Sequence, residues 1–191
     1  TAACREACGK GVLVVMNDII MAARYATKTS AFKVEAFQAV PYGQLGTIAG
    51  GRVYFEASIS KCHTVNSVFA GKNYTSLPRT DIIYTHCDDD GVLIEAAVKA
   101  GAQGLVYAGS GMGSIHCGAE NALLKALQQG VAVVRSTRVS EGRVLAANPK
   151  WDEAGFICGG NLNPQKARIL LQLALTCTKD TEKIQEIFDE H

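Results

Sequence analysis

Lys28 stands between two hydroxyl residues, in Ala26-Thr27-Lys28-Thr29, shortly after the apolar run of residues 12–16. A lysine just downstream of a buried strand can act as a base if partial burial lowers its pKa enough to leave some neutral amine. The plainer alternative is a solvated loop lysine, and composition leaves both open. A second constellation is Gly109-Ser110-Gly111-Met112-Gly113-Ser114, between an expected strand and an expected helix. It superficially resembles a dinucleotide fingerprint, but Ser114 takes the third glycine position. The next strand ends in Arg135-Ser136-Thr137-Arg138, where an arginine would suit a 2′-phosphate but no acidic residue waits for a ribose.

Three further groups are weaker. Asp88-Asp89-Asp90-Gly91 offers oxygen ligands for a hard cation. Adjacent residues cannot all face one ion, so the run reads as the turn that caps a helix starting at Val92. His86-Cys87 and His116-Cys117 suggest a thiol nucleophile with a base, but sequence neighbours on a strand point to opposite faces. His63 has no partner at metal-ligand spacing, and no metal site is read from this chain.

The elements that must position these residues fall into two grammars. The first, residues 1–56, holds a strand at 12–16, the lysine loop, a short amphipathic piece around 34–37, and a strand at 52–55 after Gly50-Gly51. Residues 1–9 read as a short helix ending at Gly9. Residues 57–80 have the Ser, Gly, Lys and Asn content of a linker. From 81 to 191 short apolar strands at 82–84, 105–107, 131–134 and 155–158 alternate with helices at 92–100 and 120–129. That beat predicts parallel βαβ units with both sheet faces covered. Asn163 caps a helix with Pro164 at its first position, and Asp180 or Thr181 opens a last helix with Ile184, Ile187 and Phe188 facing inward.

Composition narrows the function classes. The chain of 191 residues is 48% hydrophobic and 19% charged, with a formal net charge of +1. No field of one sign recommends nucleic acid or an acidic membrane surface as partner. No apolar run reaches the roughly 18 residues of a membrane span. Seven cysteines, at 4, 8, 62, 87, 117, 158 and 177, form no Cys-x-x-Cys pair. Most lie among apolar or small neighbours, which predicts reduced, buried thiols and a reducing, cytoplasmic compartment.

Read together, Ala26-Thr27-Lys28-Thr29 and Leu162-Asn163-Pro164-Gln165-Lys166-Ala167-Arg168-Ile169-Leu170-Leu171-Gln172-Leu173-Ala174-Leu175-Thr176 resemble the type II bacterial L-asparaginases and their glutaminase-asparaginase relatives. The resemblance covers the whole chain but only the later part of such an enzyme. It implies the end of an N-terminal α/β catalytic domain (1–56), a linker (57–80), and a complete C-terminal flavodoxin-like α/β domain with a parallel sheet (81–191). It also implies hydrolysis of L-asparagine, with L-glutamine as the alternative substrate, to the acid and ammonia without a cofactor. Lys28 matches the lysine of a Thr-Lys-Asp relay whose threonine and aspartate belong to the half not present here, so the chain alone is expected to be inactive.

The same resemblance makes the glycine turn at 109–114 a loop that reaches a neighbouring subunit's active site. Met112 stands there where the family usually carries asparagine. Before Gly155-Phe156 the family places a glutamate that binds the substrate α-amino group, and the matching position here is Asn148 or Pro149. Family sites form between subunits of a dimer within a tetramer, which implies a homo-oligomer, a dimer of dimers. Type II enzymes are typically periplasmic or secreted, against the cytoplasmic reading of the cysteines. The alternative function is a non-catalytic protein that binds partners through the old dimer surface.

Overall fold

A computed structural model describes residue 1 and residues 4–191. The chain divides into two compact units, residues 1–71 with His191, and residues 72–190.

The first unit is built on two-residue hairpins. Strands β1 (Leu13–Met16) and β2 (Ile19–Ala22) pair antiparallel with Met16 opposite Ile19. The Asn17 and Asp18 between them both have positive φ, 51° and 59°. After β3 (Thr27–Lys28) and β4 (Phe37–Gln38), which pair only with each other, come β5 (Gly46–Ala49) and β6 (Arg52–Phe55). Gly50 and Gly51 close that second hairpin, again with positive φ at both positions. Two left-handed residues in a row make the turn whose twist matches a right-twisted ribbon. The sheet order is β1-β2-β5-β6, with β2 and β5 as its inner strands and Ile20, Met21 and Ala22 of β2 at most 2% exposed.

Three expectations for this unit change. Residues 5–7 form a single 3-10 turn rather than a helix running to Gly9, and the start of that expected helix, residues 2–3, lies outside the described residues. The short amphipathic piece around 34–37 ends in a strand: Val34 is exposed and Phe37 opens β4. The apolar run continues beyond residue 16, because β2 and β5 are strands that the reading of 12–16 and 52–55 alone omitted.

The second unit is the expected parallel α/β layer structure. Strands β7 (Thr80–Tyr84), β8 (Gly104–Gly109), β9 (Ala132–Thr137) and β10 (Ile157–Cys158) form a parallel sheet in the order β10-β9-β8-β7. Helices α1 (Val92–Lys99) and α2 (Cys117–Gln128) cover one face through Ile94, Ala119 and Leu123, packed on Ile83, Leu105, Tyr107 and Val133. After the short α3 (Pro149–Glu153), helix α4 (Pro164–Ala174) packs on β7, β8 and β9, and α5 (Thr181–Glu190) packs on β10 and α4. Burial on both sides explains why all six residues of β8 and all six of β9 are buried. Asn163 caps α4 as expected, its Oδ1 accepting from the Lys166 amide at 3.0 Å.

Candidate functional site

Lys28 lies in β3 directly across from Phe37 of β4, and its Nζ sits 5.6 Å from the Phe37 ring centroid. Opposed residues of an antiparallel pair interact across the ribbon, and a cation over an aromatic face is attracted to it. The loop beyond is closed by the Ala36 carbonyl, which accepts from the Thr29 amide at 2.8 Å. Lys28 itself is exposed. Within this chain it therefore has the exposure of the solvated alternative and not the partial burial that the base reading requires.

The glycine loop sits at the carboxyl ends of the parallel strands, where ligands of open α/β sheets bind. Ser110 and Ser114 bridge it, the Ser114 amide donating to the Ser110 carbonyl at 2.8 Å. Gly113 has φ +76°, and a Cβ there would lie 3.0 Å from the Ser136 carbonyl oxygen and from Val144. Only glycine meets both demands without strain. The Met112 side chain is 45% exposed and the residue's carbonyl faces inward to Arg135.

Two side chains of β9 hold this loop. Thr137 Oγ1 donates to the Gly111 carbonyl at 2.6 Å, and Arg135 Nε donates to the Gly113 carbonyl at 3.3 Å. Arg135 is 1% exposed, so it is not available to a 2′-phosphate, while Arg138, the other arginine of that run, is exposed and donates from Nη1 to the Thr85 carbonyl at 3.1 Å. Its Nη1 makes no hydrogen bond and faces Asp152 Oδ1 at 3.9 Å, an ion-pair distance.

The second segment is fixed from below. Asn148 caps α3, its side chain accepting from the Lys150 amide at 3.1 Å. Lys150 Nζ and Trp151 Nε1 both donate to the Glu120 carboxylate of α2, at 2.8 and 2.6 Å. The Lys150 hydrogen bond, then that of Trp151, holds the Glu120 carboxyl below the usual carboxylate range, against the opposing effect of burial.

Behind the loop, Tyr107 is fully buried, with its hydroxyl 2.8 Å from Asp89 Oδ2 and 2.9 Å from Thr85 Oγ1. One phenolic proton cannot serve both, so it goes to the carboxyl oxygen and the Thr85 hydroxyl turns to donate. Burial, the largest influence, pushes the Tyr107 phenol up. Asp89 Oδ1 accepts from Gly91 and Asp90 Oδ1 from Val92. The aspartate run is thus a turn at the start of α1.

The histidines do not address the thiols beside them. His86 Nδ1 lies 2.6 Å from the Cys87 carbonyl oxygen, and His116 Nδ1 lies 2.9 Å from that of Asp89. All seven cysteines are free, but five are exposed and only Cys4 and Cys158 are partly covered. The expectation of buried thiols fails: Cys87 lies in the turn after β7, Cys117 opens α2 and Cys177 follows the end of α4, each beside polar or small neighbours and exposed. Burial pushes the Cys158 thiol up, against the pull of nearby Arg135. Among the described residues no group of three or more His, Cys, Asp or Glu could hold a metal ion.

The family model described as "Asparaginase, N-terminal" matches residues 1–61, and that described as "Glutaminase/Asparaginase C-terminal domain" matches residues 79–188. The chain belongs to the glutaminase/asparaginase family. Within it, the L-asparaginase 2 of Bacillus subtilis (strain 168) is 47% identical over 186 residues, covering 97% of this chain and 49% of that protein. The probable periplasmic L-asparaginase of Haemophilus influenzae is 42% identical over 190 residues, covering 99% of this chain and 54% of that one. The crystal structure of a probable cytoplasmic L-asparaginase from Campylobacter jejuni superposes with a TM-score of 0.94 at 44% identity, over 98% of this chain and 61% of that one. The chain therefore spans about half the length of the curated relatives it matches. The resemblance to type II asparaginases and glutaminase-asparaginases read from the sequence is borne out, as is the α/β fold with its parallel sheet. The relatives' names divide between periplasm and cytoplasm, and no helix among the described residues is long and apolar enough to cross a membrane.

Proposed function

We propose that this chain forms the later part of an L-asparaginase-type amidohydrolase that converts L-asparagine, with L-glutamine as the alternative substrate, to the acid and ammonia. The observation that carries this reading is the 47% identity to an L-asparaginase 2 along nearly the whole chain. In the proposed organisation residues 1–56 end a catalytic domain, 57–80 link, and 81–191 form the C-terminal domain. Lys28 assists proton transfer to and from a nucleophilic threonine contributed by the half of the relatives that this chain does not span. The threonine attacks the side-chain amide carbon, the tetrahedral intermediate collapses with loss of ammonia, and water releases the acid from the acyl-enzyme. Burial of the Lys28 amine comes from that other half, since the ribbon leaves it exposed.

The segments around Met112 and Asn148 would reach the active site of a neighbouring subunit in a dimer of dimers. Met112 offers that neighbour a thioether in place of a polar side chain. Asn148 spends its side-chain oxygen on the α3 cap, so the usual charge-assisted contact to a substrate ammonium is absent. These two features support the second reading, a non-catalytic family member that binds through the same surface. A periplasmic or secreted setting follows the type II resemblance, and seven free thiols favour the cytoplasm instead.

Ammonia release from L-asparagine decides between the readings, measured on the chain combined with a polypeptide supplying the other half. Turnover that Lys28→Met lowers by about 100-fold or more supports the enzyme. Met112→Asn together with Ala147→Glu should raise turnover. The glutamate is placed at exposed Ala147 so that the Asn148 cap, worth about 1 kcal/mol, is kept. A folded assembly without activity, unchanged by that pair of substitutions, favours the binding protein.

A further inference from the structure

The geometry points to Arg135 as the positioning residue that locks two separate segments, residues 111–114 and 145–152, into one rigid presenting surface. The inference rests on the reading of those segments as the part of a site handed to a neighbouring subunit.

Arg135 sits near the carboxyl end of β9, two residues before Thr137 and on the same face of the strand. It is the largest fully buried side chain of the chain's described residues. A guanidinium is costly to bury unless its donors are satisfied. Here the two segments satisfy Nε and Nη2, while Nη1 has only the ion-pair approach of Asp152. Nε donates to the Gly113 carbonyl at 3.3 Å, and Nη2 reaches the Met112 and Leu145 carbonyls, each at 3.5 Å. The guanidinium carbon lies 4.7 Å from the Trp151 ring centroid, and Nη1 faces Asp152 at 3.9 Å. One planar group thus holds the backbone of the glycine loop, the backbone at Leu145, and the helix that Asn148 caps.

The side chains at the pinned carbonyls point away. Met112 is 45% exposed and Leu145 49% exposed. That division, backbone fixed inward and side chains free outward, is what presentation to another molecule requires. Hydrogen bonding in a plane and stacking on an aromatic face are both properties of arginine that lysine lacks. Arginine at this position therefore couples segments more than 30 residues apart in sequence through a single rigid fork.

Hydrogen exchange on the chain, comparing wild type with Arg135→Gln, Arg135→Lys and Thr137→Val, tests the coupling directly. Arg135→Gln should speed exchange in 111–114 and in 145–152 together by about tenfold or more, with β8 still protected. Thr137→Val should loosen 111–114 alone. If Arg135→Gln also exposes β8, Arg135→Lys and Trp151→Leu decide, and each should still loosen both segments ahead of the sheet. Response of one segment alone, or of neither, overturns the inference. In the assembled enzyme Arg135→Lys should raise KM for L-asparagine about tenfold with kcat within about threefold, the pattern of lost binding geometry; an equal fall in kcat with KM unmoved overturns it. An inactive wild-type assembly removes the substrate reading, while the exchange result still decides whether Arg135 couples the segments.

Discussion

Glu120 is the residue at which the candidate site meets pH. Its carboxylate accepts from both Lys150 and Trp151, and its pKa is lowered from 4.5. A depressed folded pKa means that the folded state binds this proton less well than the unfolded chain does. The stabilisation is present above about pH 4.5 and is lost as pH falls through the folded value. Acid titration followed by the emission of Trp151, the single tryptophan, should therefore show a change below about pH 4.5 that Glu120→Gln removes. An identical titration in the variant would mean that another group governs the α3 helix. Lys28 belongs to the same scale but makes no comparable structural contribution. It is exposed, so Lys28→Met should leave the melting of the chain within about 0.5 kcal/mol of wild type. A larger loss, measured by denaturant unfolding, would assign the Phe37 contact a structural role instead.

At the scale of elements, β10 shows how a short edge strand is protected. The Gln185 side chain of α5 accepts from the Cys158 amide at 2.7 Å and donates to the Cys158 carbonyl at 3.3 Å. It completes the ladder that a further strand would otherwise supply. Gln185→Leu leaves both backbone groups without that partner and should cost about 1–3 kcal/mol in urea unfolding. A cost near zero would mean that water replaces the amide without penalty.

The same scale explains what the sequence made legible. The βαβ beat from residue 81 onward was readable because buried strands and glycine-closed helices differ in period and length, and the helix at Pro164 announced itself through the Asn163 cap. Gly50-Gly51 was readable as a turn. Asn17-Asp18 was not, because no glycine marks it and apolar residues run on both sides, yet it closes a hairpin of the same kind. For the candidate site, Lys28 and the glycine loop were visible as motifs. Glu120 and Tyr107 were not, and Arg135 was visible only as an arginine suited to a 2′-phosphate, since their partners lie 9 to 31 residues away and only the folded sheet brings them together. One signal for Arg135 was available. It follows directly on a buried apolar strand, at the same alternating face as Val133.

For the whole molecule, the two units differ in how completely their own residues cover them. In the second, helices lie on both faces of the parallel sheet. In the first, among the described residues β1 pairs only with β2; Val12 just before it and Val15 within it are 66% and 42% exposed, while Phe32 is 97% exposed on its loop. Among its described residues one buried cluster rests on Met21, Ala26 and Ala39, and Ile20, Ala22 and Leu45 are buried as well. An apolar edge strand and exposed valines on a four-stranded sheet are a poor basis for independent stability. The dilute chain, with no other polypeptide present, should therefore melt in two steps, residues 1–71 first. The single tryptophan reports only on the second unit, so its emission and far-ultraviolet circular dichroism should give transitions that do not coincide. Exchange of the Ile20 and Met21 amides should likewise precede that of Val106 and Val133. A sharp, cooperative melt of dilute monomer, with both probes superimposed, would mean that the first unit needs no companion, and the argument from its exposed strand would fall with it.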